Sequence, residues 1–485
     1  MPGIVITTNV RSGPPATVDP TSGQFFMVGL FERGVVGRPV LVRSMTELVR
    51  NYGTRTTFSD AWDHLATFFS EGGSQAWVTR VVGGAATVGT LTLKDRAAGT
   101  PLDTLRIDAA SSGAWSSNVT VEITNGLATN TYRVTVRYAG EIVEDYNNLT
   151  SPADAVAKFA TSPYIKVTNL GSGTAAPANN PAVITATAIT AGSDDRGAVV
   201  AANYVTALEQ FSPELGDGAV AVPGQTGTTV WDGLIAHAKN NNRIALLGAV
   251  RNETEANLKT AAASMDTEYA GLFAPWVVVP TDGNNTRSIS PESYVAAARS
   301  RAHREVGQWR VPAGAIATGR YVVDVDQQFT AAQGDALDAA KISVVRKIAA
   351  AVRLYGWRSL SNDTDNWLYL KDRDLLNFLT VEANKRLEKF VFEVIDSKGQ
   401  LLSVLAAEIV GLVDPVAKAN GLFARYDEEG TMIDPGYVVS TGPDLNPPSS
   451  LAQNKVNASL AVRLAPTGAL INLSINKVTL LGSLS

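Results

Sequence analysis

Three short apolar runs decide the fold class: Ala219-Val220-Ala221-Val222, Ile244-Ala245-Leu246-Leu247-Gly248-Ala249 and Trp276-Val277-Val278-Val279. Each is continuous rather than alternating, which is the pattern of a strand buried on both faces. Helical spacing near 230–240, 254–270, 291–305 and 334–354 separates them. Strands alternating with helices predict a mostly parallel sheet covered by helices, spanning 196–350.

Upstream, a compact α/β segment occupies 21–87. Phe25 to Leu30 and Pro39 to Val42 read as strands, and Ser44 with Glu47 predicts a capping box opening a helix from Met45 to Tyr52. Ser59 to Phe69 has helical spacing, Gly72-Gly73 ends it, and Ala76 to Val82 reads as a strand. From 88 to 195 the period changes to two, in Leu91/Leu93, Leu105/Ile107, Val119/Val121/Ile123 and Tyr132/Val134/Val136. This predicts a β-rich insert with one short helix near Ala153 to Ala160. Downstream, 351–485 forms a further α+β unit. Its predicted helices are Leu375 to Val394 and Leu401 to Val413, the second stopped by Asp414-Pro415. Val456 to Leu464 and Leu470 to Val478 are its closing strands, joined by a Pro466-Thr467-Gly468 turn.

The two ends differ from the rest. Residues 1–20 begin with a β-prone stretch (Ile4, Val5, Ile6, Val10), continue through Arg11-Ser12-Gly13-Pro14-Pro15 and close at Asp19-Pro20. No helix can run through such a segment, and it reads as an extended arm. The last strand, in about 466–485, presents Leu470, Ile471, Leu473, Ile475 and Val478. An unpaired strand exposes donors and acceptors that another chain can satisfy.

Composition narrows the function. The 485 residues contain no cysteine, which excludes disulfides, thiolate metal sites and cysteine nucleophiles. Forty-one basic and 46 acidic residues give a net charge of −5 without a long basic run. That argues against a nucleic-acid coat. The opening residues carry no Sec-type address, and no apolar run approaches a membrane span. His64, His237 and His303 lack the local context of a catalytic triad and read as structural or solvated. Gly171-Ser172-Gly173 precedes Pro177 and Pro181, so it opens no dinucleotide-binding helix. Asn362-Asp363-Thr364-Asp365 lacks the glycine and terminal glutamate of a calcium loop. Asp324 and Asp326 could pair on one strand face, but a solvated face is the better reading. No cofactor or metal is expected.

Several motifs in collinear order carry a resemblance. They begin with Met1-Pro2-Gly3-Ile4-Val5, Phe26-Met27-Val28-Gly29 and Asn51-Tyr52-Gly53. Phe68-Phe69-Ser70-Glu71-Gly72-Gly73 then leads into Ala76-Trp77-Val78-Thr79-Arg80-Val81. Further on come Trp309-Arg310-Val311-Pro312-Ala313, Gly356-Trp357-Arg358-Ser359-Leu360, Trp367-Leu368-Tyr369 and Phe423-Ala424-Arg425-Tyr426-Asp427. In this the chain resembles the tail sheath proteins of contractile phages, R-type bacteriocins and related injection systems. His303 stands where many relatives carry an acid, and the insert is not covered.

The resemblance implies a middle domain similar to a subtilisin-like fold without its triad, and terminal arms that swap strands between subunits. It also implies a structural role with no enzymatic activity. Subunits would polymerise helically, in stacked and hexameric rings, around an inner tail tube protein, with baseplate and tail terminator proteins at the ends. Assembly in the host cytoplasm into a virion tail, without direct nucleic-acid contact or membrane insertion, follows from it. Lys385, Arg386 and Lys389 are the expected tube-facing residues. The competing reading is a serine hydrolase, degenerate or active, on the middle α/β domain.

Overall fold

The computed structural model describes residues 23–469. By compactness these fall into two units, 23–381 and 382–469.

The larger unit is organised by one eight-stranded sheet. Its elements begin with β1 (Phe25–Gly29), β2 (Val40–Val42), α1 (Met45–Tyr52), α2 (Ala61–Ser70) and β3 (Ala76–Arg80). The chain then leaves for the insert, made of β4 (Thr90–Lys94), β5 (Asp103–Ala109), β6 (Val119–Asn125), β7 (Tyr132–Tyr138), β8 (Glu141–Leu149), α3 (Pro152–Lys158), β9 (Ile165–Asn169) and β10 (Ile184–Ala188). It returns through α4 (Ala201–Leu208), β11 (Gly218–Ala221), α5 (Thr228–Asn240), β12 (Arg243–Gly248), α6 (Glu255–Ala263) and β13 (Ala270–Ala274). A small sheet of β14 (Val277–Pro280), β15 (Thr286–Ile289) and β16 (Asp324–Val325) brackets α7 (Glu292–Glu305). Then come α8 (Ala331–Ala339), β17 (Ile342–Ile348), β18 (Ala351–Tyr355) and the single turn α9 (Thr364–Trp367).

The order in the large sheet is β18-β17-β13-β12-β11-β1-β3-β2. From β17 to β3 every pairing is parallel, and only β18 and β2 run antiparallel at the edges. Strand period explains the burial. Phe25 and Met27 enter one core with Leu65, Phe68 and Tyr294, while Phe26 and Val28 enter the opposite core with Tyr204, Phe211 and Leu234. All four β1 side chains are essentially inaccessible, and burying each stabilises the fold by about 1.5–3 kcal/mol.

The insert is a separate core. The sheets β4-β5-β9 and β10-β6-β7-β8 bury Leu105, Ile107, Val121, Tyr132 and Val134 between them. Arg33, from the body, lies over the Trp115, Tyr138 and Tyr164 rings of the insert, 4.5 Å from the nearest centroid.

The axis of the unit is α7. Twelve consecutive residues, Glu292 to His303, are buried although several are charged. Arg299 makes two 2.7 Å bonds to the Asp374 carboxylate, and His303 lies 3.2 Å from the same group. Arg301 donates to Glu71, which also accepts the backbone N–H groups of Arg320, Tyr321 and Val322. Burial pushes the Asp374 carboxyl up, but the Arg299 and His303 charges outweigh it and hold it at about 2.

In the smaller unit, α10 (Leu370–Leu387) enters from the larger one, followed by α11 (Gln400–Lys418). A hairpin of β19 (Arg425–Tyr426) and β20 (Met432–Asp434) follows. After it come β21 (Tyr437–Ser440), the single turn α12 (Pro448–Leu451) and β22 (Ser459–Val462). Among the described residues α11 alone is long and apolar enough to cross a membrane, on length and composition.

Several expectations need correction. The helix expected to 270 ends at Ala263, and Ala270–Ala274 is the third inner strand. Val277–Pro280 belongs instead to the small antiparallel sheet. The helix expected over 334–354 is α8 followed by the β17–β18 hairpin. There Ile342, Val344, Val345 and Val352 favour a strand, and Ala349 and Ala350 turn the chain at positive φ. The Glu47 carboxylate reaches the Arg43 N–H rather than that of Ser44, although Ser44 does cap the helix. Pro415 does not stop α11. Burial of Val413 and Val416 on either side of it offsets a lost bond that costs about 3 kcal/mol.

Asp374→Asn leaves Arg299 buried without its counter-charge. We expect a loss of roughly 3–5 kcal/mol in a denaturant titration. Because the folded carboxyl is depressed, its stabilisation is present above pH 4 or so and lost as pH falls toward 2. The variant should therefore lose that segment of the acid-unfolding curve, and an unchanged curve would contradict the pairing.

Candidate assembly surface

The tail of α10 decides the exposed chemistry of the smaller unit. The sequence Lys389-Phe390-Val391-Phe392-Glu393-Val394-Ile395 continues a helical pattern, and it placed Val391 and Val394 on an apolar helix face. The helix ends at Leu387, and a short 3-10 turn covers Glu388–Phe390. Val391 is 60%, Phe392 102% and Val394 81% exposed. Phe392 sits at φ 72, a conformation that a bulky side chain adopts only with strain.

These residues rim a groove of about 1100 Å³ whose walls include Leu401 and Leu405 of α11, together with Leu451 and Val456. Nearby, β21 pairs antiparallel with β22, Tyr437 opposite Val462 and Ser440 opposite Ser459. Among the described residues β21 has no second strand partner, and Val438 is 61% exposed. An open edge and an apolar groove thus lie within one small unit. Such a combination is a template for an added strand. The sequence signal was available: Phe390 to Ile395 is rich in β-branched and aromatic residues, which helical periodicity overrode.

Of the residues expected to matter, Ile4, Val5, Ile6 and Val10 lie outside the described residues, as do Leu470, Ile471, Leu473, Ile475 and Val478. The Lys385 amine lies 2.7 Å from Glu382, and that of Lys389 lies 2.6 Å from Glu408. Arg386 is half-buried beside Gly411. Exposed pairs of this kind are worth about 0–1 kcal/mol, so an acidic partner could displace them cheaply.

The histidines are buried. His237 lies 2.7 Å from an Arg243 nitrogen, and burial together with that charge pushes it down to about 3, so it is neutral. His64 is brought to Ser293, 3.1 Å from Nδ1, with Asp60 and Ser290 each 3.5 Å from Nε2. Burial disfavours the His64 cation, yet Asp60 raises its affinity for protons. Burial also raises the neighbouring Glu292 carboxyl. Serine, histidine and acid do converge here, which sequence context did not indicate. His64, Ser290 and Ser293 are nonetheless completely inaccessible, and the adjoining cavity at Asp60, Tyr204 and Gln225 holds about 90 Å³.

No family model matches the chain, and no curated protein matches it in sequence. Solved structures do match in fold. The sheath tail protein Lin1278 from Listeria innocua superposes with a TM-score of 0.63 at 12% identity, covering 89% of this chain and 93% of that one. A chain of the anti-feeding prophage baseplate, six-fold symmetrised, gives 0.59 at 15% identity and 99% coverage of each. The sheath complex of the extracellular contractile injection system PVC, in its contracted state, gives 0.56 at 13% identity, covering 99% and 98%.

Two outcomes follow. A fluorophosphonate probe should leave Ser290 and Ser293 unlabelled in the folded chain, and labelling of either would overturn their burial. Phe392→Asp should change folding stability by less than about 0.5 kcal/mol in a thermal melt, because the ring is fully exposed and covers nothing among the described residues. A large loss would show that it does. Over nearly its whole length, then, the chain has the mixed α/β, multidomain fold of contractile-system sheath proteins.

Proposed function

We infer that this chain is the sheath subunit of a contractile tail or injection machine. It polymerises helically around an inner tube and passes from an extended to a compact lattice, driving the tube through a target envelope. The observation that carries the reading is the open β21 edge beside the exposed groove at Val391, Phe392 and Val394, in a chain with the sheath fold.

Each terminal arm has the composition to fill such an edge. At one end Ile4, Ile6 and Val10 would share a strand face with Val5 opposite, and at the other Ile471, Leu473 and Ile475 would share a face with Leu470 and Val478 opposite, so register would be fixed by which face is buried. Burying three or four aliphatics at about 1.5–3 kcal/mol each offsets the ordering of a short strand, at roughly 1–2 kcal/mol per residue. The Gly13-Pro14-Pro15 stretch tethers the arm, letting globular bodies rotate while strands stay paired.

Partners on this reading are further copies in stacked, hexameric rings, an inner tube protein, and baseplate and terminator proteins. Lys385, Arg386 and Lys389 face the tube. The role is structural and non-enzymatic, since energy stored in subunit interfaces needs no reaction. Its place is a tail or injection particle assembled in the host cytoplasm. The chain divides into an arm (1–20), a first α/β segment (21–87), an outer insert (88–195), a subtilisin-like middle domain (196–350) and a sheath domain (351–485).

Deleting residues 1–12 should leave a folded monomer, by circular dichroism and sedimentation, that fails to polymerise. Sheaths of normal length from that variant would refute the arm model.

A further inference from the structure

A second groove lies in the larger unit, where the insert meets the body. It encloses about 630 Å³, and its rim carries Arg38, Arg50 and Lys166. All three are exposed, and none forms an ion pair among the described residues. Beneath them Arg80 spends its donors on the Phe31, Glu32, Gly34 and Ser112 carbonyls, and Arg33 spends its charge on three rings. Three acids lie near: Asp108 stands opposite Lys166 across the β5–β9 pair and bonds to Arg106, Glu144 accepts from Ser162 and feels the Arg50 charge, and Glu32 holds the Tyr138 hydroxyl and Thr54, so the five cations at and beneath the rim outnumber them. The cleft is therefore cationic. Its walls are partly apolar, with Val36 41% and Val88 43% exposed.

The smaller unit carries the complementary shape. Asp427-Glu428-Glu429 is the longest run of acids in the sequence, and it forms the tip of the β19–β20 hairpin. Asp427 accepts the N–H groups of Glu429 and Thr431, fixing the turn, and Gly430 closes it at φ 83. The three acids are exposed and unpaired among the described residues. Tyr426, Met432 and Ile433, each at least half exposed, flank them. An acidic tip with apolar shoulders matches a cationic cleft with apolar walls.

We propose that the Asp427–Glu429 turn of one copy docks into the Arg38/Arg50/Lys166 cleft of another, forming a lattice contact distinct from strand exchange. This rests on the sheath reading, since a second copy is the partner that reading supplies. The contact fixes which body faces which neighbour, through charge that salt screens within about 10 Å at 0.1 M.

The test uses the full chain and two charge reversals. One is Arg38→Glu/Arg50→Glu/Lys166→Glu, and the other is Glu428→Lys/Glu429→Lys, which keeps the Asp427 that fixes the turn. Each should raise the concentration needed for sedimentable cylinders about tenfold or more, with monomer melting unchanged, and added salt should weaken wild-type assembly in the same direction. Both reversals in one chain should restore assembly toward wild type. Wild-type assembly by both single sets, or no recovery in the combined chain, overturns the contact while leaving the sheath reading intact. Absence of cylinders from the wild-type chain overturns both.

Discussion

A helix buried on every side has no solvent to stabilise its charges, and α7 is such a helix. Glu292, Arg299, Arg301 and His303 are all inaccessible, so each must find its partner within the protein. Those partners come from the surrounding elements: α2 through His64 and its C-cap Glu71 (itself held by the turn at Arg320–Val322), α10 through Asp374, and the loop at Gly224. Buried pairs of this kind add little net stability over a well-packed apolar core, but breaking one is costly. They specify which element sits where. The parallel sheet supplies burial, and the polar axis supplies a unique arrangement of what covers it.

The two units differ in how fully they satisfy themselves. In the larger one, β1 to β17 are covered on both faces and the sheet closes at each edge with an antiparallel strand. Among the described residues the smaller one leaves Phe392, Val394 and Val438 exposed and the backbone of β21 without a second strand partner. A protein that must stay soluble as a monomer would pay for such exposure with aggregation, whereas one completed by its neighbours requires it. On the sheath reading proposed above, such a contrast would suit a polymer whose subunits rearrange while added strands keep them linked.

Much of this was legible in the sequence because it is local. Runs such as Ala219–Val222 and Ile244–Ala249 announce strands buried on both faces, and period-two alternation over 88–195 announced the insert. Errors arose where two periods fit equally well. Lys341 to Tyr355 supports either a helix or a hairpin, and the β-branched residues with a left-handed Ala349-Ala350 turn decide it. Phe390 to Ile395 has the same ambiguity, with the opposite consequence for exposure. The polar axis was hidden for another reason. The sequence shows only helical spacing near 291–305, and the partners Glu71 and Asp374 lie far away in sequence. The convergence of Ser293, His64 and Asp60 was likewise beyond local patterning, since 229 residues separate the first two.

The account turns on whether the β21 edge, which has no second strand among the described residues, is completed from outside the chain. A cryo-electron microscopy reconstruction of cylinders grown from the purified protein measures this directly. We expect density for additional strands against the β21–β22 pair, traceable to the ends of adjacent subunits. Strands traced to the same chain's own ends, or an edge left in solvent within the assembled lattice, would contradict it.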